Sequence, residues 1–205
     1  MNDGYVSAVI TDPYFDPPEW LNYVDFKEYV VLSESTSDKD TELFLISLLG
    51  YNDIDMNDKT AAFTELIQKE EVVIGGGILF ENNSGRKILP SCCSGLEQWR
   101  DVLNGVKSKD SPWMGHTPYP TIEYINDTVR VWSDNKLGIW GPDEVDENMY
   151  FIEYRYDDLI TKLNRMKCDL RGFAQGPLFK LLTNINEKSA AIIVERFLKW
   201  FEVAD

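Results

Sequence analysis

The chain contains three cysteines and one histidine, and two of the cysteines, Cys92 and Cys93, are adjacent. They stand directly before Ser94 and Glu97, an S-x-x-E spacing in which the serine hydroxyl and the glutamate carboxylate cap the first turn of a helix. A thiol at a helix N-terminus meets free N–H groups and the positive end of the helix dipole, and both favour the nucleophilic thiolate. His116, in a loop rich in proline, is the one imidazole available as a base. Cys92 or Cys93 with His116 is therefore the candidate catalytic set. The competing reading is structural: free cysteines pack well in interiors, and a loop histidine commonly serves backbone groups. No nucleophile signature surrounds either cysteine, and no G-x-S-x-G elbow offers serine chemistry, so the sequence by itself asserts no catalytic residue.

Other chemistry is weakly supported. A metal site from Cys92, Cys93 and His116 lacks a fourth ligand and departs from the C-x₂-C spacing of zinc chelates, so neither a metal nor a cofactor is expected. Asp53, Asp55 and Asp58, and again Asp143, Glu144, Asp146 and Glu147, offer oxygens without EF-hand spacing and read as solvated surface. Gly75, Gly76 and Gly77 have no Lys-Ser/Thr after them, so a bulged strand is expected in place of a phosphate loop. The run WMGHTPYP places Trp113, His116 and Tyr119 in one rigid loop, and with Trp99 they form a candidate aromatic binding surface. The alternative is that these rings close the edge of the core while Pro118 and Pro120 hold the loop's shape.

The elements that must position these residues follow from periodicity. Residues 7–32 read as an irregular, aromatic opening that packs on the body through Tyr14, Phe15, Trp20, Tyr23, Phe26 and Tyr29, with a strand from Tyr29. A polar loop over 33–41 leads to a short apolar helix over 43–49, and a second helix ends near Lys69. Residues 72–80 and 86–89 form a hairpin about the turn 82–85. Leu96, Trp99, Leu103 and Val106 share one face of the capped helix. Residues 121–125 and 128–133 flank Asn126-Asp127 in a further hairpin, a short strand starts at Trp140, and 149–156 adds another. Two helices close the chain, over 157–175, capped at Gly176-Pro177, and over 187–203. The expected fold is α+β: a single domain over residues 1–205, with four or five mainly antiparallel strands packed against several helices.

Composition narrows the function classes. Lys and Arg total 20 against 35 Asp and Glu, a formal charge of -15, which repels a phosphate backbone and an anionic membrane alike. Nucleic acid and membrane are therefore excluded as expected partners, and a basic protein becomes the electrostatic match. An odd cysteine count with an adjacent pair is a poor disulfide framework, so free thiols and a cytoplasmic location are expected.

The segments GGGILF, LPSCCSGLEQW and SPWMGHTPYP resemble a group of bacterial proteins of uncharacterised activity that carry a Cys-Cys-x-Gly-Leu-Glu-x-Trp element and a Gly-His-x-Pro loop. The resemblance covers about the middle third and implies a bacterial cytoplasmic origin. Charge and the incomplete catalytic set favour a non-catalytic acidic binding protein, of a toxin-neutralising, immunity-like kind by analogy. The alternatives are a small thiol-dependent enzyme using Cys92 or Cys93 with His116, and a structural or regulatory module without a catalytic site.

Overall fold

A computed structural model describes residues 4–12, 15–22, 25–140 and 148–204 of the chain. The fold is α+β and its strands pair antiparallel, as the sequence suggested, but the seven strands among the described residues form two sheets where one of four or five strands was expected. The first sheet has the order β2-β1-β3-β4, from β1 (Tyr5–Thr11), β2 (Tyr29–Val31), β3 (Gly76–Glu81) and β4 (Lys87–Ile88). The second has the order β5-β6-β7, from β5 (Thr121–Ile125), β6 (Thr128–Trp132) and β7 (Phe151–Arg155).

Two departures from the sequence reading concern the opening segment and the first helix. Residues Tyr5–Thr11 are the central strand of the larger sheet, paired on both sides, where sequence suggested irregular chain. A strand buried between two neighbours needs no polar alternation, so YVSAVIT lacked the usual signal. Helix α1 spans Asp38–Tyr51 and starts in the expected loop, because Ser37 Oγ accepts the Asp40 N–H at 3.2 Å as its cap. All of its residues from 41 to 49 are buried, Thr41, Glu42 and Ser47 among them, so the helix is enclosed all round and shows no single stripe. Helix α2 (Lys59–Gln68) is as expected, capped by Asp58, whose carboxylate accepts from Thr60 and Ala61 N–H. Asp55 likewise accepts from Asn57, so these two acids serve local turns. Asp143, Glu144, Asp146, Glu147, Tyr14 and Tyr23 lie outside the described residues. Trp140 is in no strand.

Gly176-Pro177 does not end a helix. Helix α4 (Tyr156–Phe173) runs through a π-helical turn, Ala174–Leu178, into α5 (Phe179–Trp200), and the non-helical residue is Asn186 (φ -156°, ψ 90°), next to the expected start at 187. Phe44, Phe173, Phe197 and Phe201 join α1, α4, α5 and the C-terminal turn in one chain of ring contacts, with Phe44 and Phe173 edge to face at 4.9 Å. Among the described residues no helix is long and apolar enough to cross a membrane.

Candidate functional site

The Cys-Cys segment is held from below by the glycine run. Gly76 N–H donates to the Ser94 carbonyl at 3.1 Å and Leu96 N–H to the Ile74 carbonyl at 3.0 Å, while Gly75 bridges Gly95. Gly76 has φ +150°, and a Cβ there would meet the Val9 carbonyl oxygen at 2.2 Å, so only glycine lets this backbone lie against β1. The run is thus a docking platform for residues 94–96, neither a bulge nor a phosphate loop.

The expected capping box is absent. A 3-10 turn, Leu96–Gln98, precedes α3 (Trp99–Ser108), and neither start carries a side-chain cap. Glu97 instead turns to Ile74, accepting its N–H at Oε2 over 3.2 Å. Burial pushes the Glu97 carboxyl above its ordinary range, opposed by hydrogen bonds from its own backbone and that of Ile74. The apolar face of the helix is as expected: Leu96, Trp99, Leu103 and Val106 are all buried. Trp99, grouped by sequence with the binding aromatics, is 1% exposed and offers no contact surface; its Nε1 donates to the Phe201 carbonyl at 2.6 Å. Its role is to fasten the helix beneath the site to the C-terminal turn.

The two halves of the candidate catalytic set do meet. Cys92 and His116 form an antiparallel bridge in which the His116 N–H donates to the Cys92 carbonyl at 2.9 Å. Gly115 makes the approach possible: its φ is +99°, and a Cβ would lie 2.7 Å from the Ser91 carbonyl oxygen and 2.8 Å from that of Cys92. His116 Nε2 lies 3.1 Å from Cys93 Sγ, which is 3.5 Å from Cys92 Sγ, and both thiols are free and exposed. The Cys93 thiol is raised above its ordinary pKa, chiefly by its hydrogen bond with Cys92 and further by partial desolvation and the Cys92 charge. That shift is opposite to the one expected of a thiol at a helix N-terminus.

Around His116 stand the loop aromatics. Trp113 lies 6.1 Å from the imidazole and 6.0 Å from Tyr119 by ring centroids, and packs edge to face on Trp140 at 5.4 Å. Tyr119 N–H is held by the Asp134 carboxylate at 2.9 Å. Trp113, His116 and Tyr119 are thus brought together and partly exposed, as sequence suggested, at the margin of the sheet β5-β6-β7.

The thiols line a cleft of about 1330 Å³, which also takes in Asp12, Glu28, Glu97, Asp134, Tyr29, Tyr51 and Tyr150. Lys87 is the one cation among its described lining residues, and its ammonium is engaged with Tyr29 Oη at 2.6 Å. Tyr51 is raised above its ordinary pKa by burial first and then by Asp12 and Cys92. Sequence reasoning missed Asp12 and Glu28, in the loops next to β1 and β2, and Tyr51, at the end of α1, which share no motif.

No known family, curated protein or solved structure matches this chain.

Proposed function

We propose that this protein is an acidic binding protein whose cleft receives a positively charged segment of a partner protein. The observation that carries this reading is the cleft's lining: the carboxylates of Asp12 and Glu28, with Asp134 and Glu97 beside them already held by backbone N–H groups, stand against one lysine that is itself engaged, on a chain of charge -15. Carboxylates attract lysine and arginine over the distance of a Debye length, so such a surface selects and orients a basic partner. The volume exceeds what most small-molecule pockets offer, which suits a loop or helix end. A toxin-neutralising role is one form such a protein takes, and a bacterial cytoplasmic setting accords with the free thiols and the resemblance of the middle segments.

The test is affinity capture from bacterial lysate with the purified chain, alongside an Asp12→Asn/Glu28→Gln variant. The reading expects basic proteins to be enriched by the wild type, released by raised salt, and lost by the variant. An identical set captured by both chains, or a set without charge bias, would overturn it.

A second reading, a thiol-dependent enzyme, draws on the 3.1 Å approach of Cys93 and His116. It is the weaker of the two because the thiol is held protonated more firmly than a free cysteine.

A further inference from the structure

Adjacent residues on an extended chain point to opposite faces, which is why a Cys-Cys pair is a poor chelate in most settings. Here Cys93 adopts a left-handed backbone, φ 61°, and the chain turns so that both sulfurs lie on one side, 3.5 Å apart. The bridge from Cys92 to His116 then delivers an imidazole to the same spot, and the two Sγ atoms and a ring nitrogen of His116 all lie within 4.8 Å of one another. Two sulfurs about 2.3 Å from a tetrahedral zinc are about 3.8 Å apart, and a sulfur and a nitrogen about 3.6 Å apart. The observed 3.5 Å between sulfurs and 3.1 Å from Cys93 Sγ to Nε2 need to open by only a few tenths of an ångström to reach these values, and the third edge, from Cys92 Sγ to the imidazole, lies within 4.8 Å.

We propose that Cys92, Cys93 and His116 bind a thiophilic divalent cation of the zinc class through two thiolates and Nε2, leaving a fourth coordination position open to the cleft. The histidine is prepared for this role by its surroundings. Nδ1 lies 3.3 Å from Thr117 Oγ1, and the tautomer that donates from Nδ1 leaves the Nε2 lone pair facing the sulfurs. Trp113 and Tyr119 pack beside the ring, with centroids 6.1 and 6.0 Å away. Binding releases two protons, one from each thiol, and the ion neutralises the charge that the adjacent sulfurs would otherwise set against each other. With three protein ligands the fourth position falls to water or to a donor atom of whatever occupies the cleft, which is the arrangement of an open zinc site and not of a closed structural one. The third cysteine, Cys168, lies on α4 and takes no part.

The experiment is a titration of the reduced full-length chain with Co²⁺ under argon, followed by displacement with Zn²⁺. The site predicts a sulfur-to-cobalt charge-transfer band that saturates at about one equivalent and disappears on zinc addition. Cys93→Ser and His116→Ala should each weaken binding by about tenfold or more while far-UV circular dichroism stays unchanged, and Cys168→Ser should bind as the wild type does. In a parallel alkylation, zinc should protect Cys92 and Cys93 and leave Cys168 reactive. No charge-transfer band at stoichiometric cobalt, or a band that persists in the Cys92→Ser/Cys93→Ser chain, would overturn the proposal. The titration needs no protein partner, so its failure leaves the reading of the cleft as a basic-segment site standing.

Discussion

His116 Nε2 lies 3.1 Å from Cys93 Sγ, yet the sulfur is tuned by its sequence neighbour, Cys92, whose hydrogen bond is the leading cause of its raised pKa. Metal-free Cys93 should therefore alkylate through a titration lying above that of an ordinary cysteine. Cys92→Ala removes the leading cause and should move the profile downward. Peptide-resolved alkylation across about pH 6 to pH 10 reads both curves. A Cys93 that reacts as a low-pKa thiolate in the wild type would contradict this and return weight to the enzyme reading.

Glu97 offers a test through stability. Its folded pKa lies above the unfolded one because of burial, so the folded state holds the proton more tightly. Its contribution is favourable below the ordinary glutamate range and is lost as pH rises through the raised value. Relative to wild type, Glu97→Gln should gain stability as pH climbs from about 4 to about 7, since the amide keeps an acceptor for Ile74 N–H without a charge to desolvate. Urea midpoints for both chains at several pH values check this; parallel curves would refute it.

Gly115→Ala places a Cβ against two carbonyl oxygens in a backbone of φ +99°, and should cost about 1–3 kcal/mol and part Cys92 from His116. Gly138→Ala is the matched comparison, with φ +64° but nothing within 4 Å of the added carbon, so it carries only the backbone penalty of about 1 kcal/mol. Denaturant unfolding ranks the two, and equal losses would show that the close approach at Gly115 does not matter.

Trp99→Phe keeps the ring but leaves the buried Phe201 carbonyl without its indole donor, at an expected cost of about 1–3 kcal/mol. Trp99→Ala adds a cavity and should cost about 3–5 kcal/mol. A tryptophan that bound a partner from the surface would instead leave stability nearly unchanged in both variants.

Much of the fold was legible where local chemistry decides it. Asn126 takes φ 53° in the turn between β5 and β6, the conformation that Asn-Asp favours, and the register around it follows. Leu96, Trp99, Leu103 and Val106 kept their shared face because helical period and burial coincide there. Tertiary contacts overrode local signals elsewhere. Glu97 found a better donor in Ile74 than in its own helix start, and Gly176-Pro177 was carried through a π turn where a C-cap was expected. The convergence of Cys93 and His116 was beyond sequence, because it depends on Gly115 lying flat on Ser91 and Cys92, a pairing no local pattern encodes. The acidic cleft was unreadable for a like reason: net charge was visible, but its placement on Asp12, Glu28 and Asp134 required the sheets to assemble.

The hydrogen bond from Trp99 to Phe201 spans 102 positions of the chain. A ribosome adding about 5–20 residues each second needs about 5–20 s to cover that interval. During that time the Cys-Cys segment and its helix have left the tunnel, while the turn that covers the indole has yet to be made. The indole of Trp99 therefore gains its buried partner only once nearly the whole chain has been made, later than most small domains take to fold.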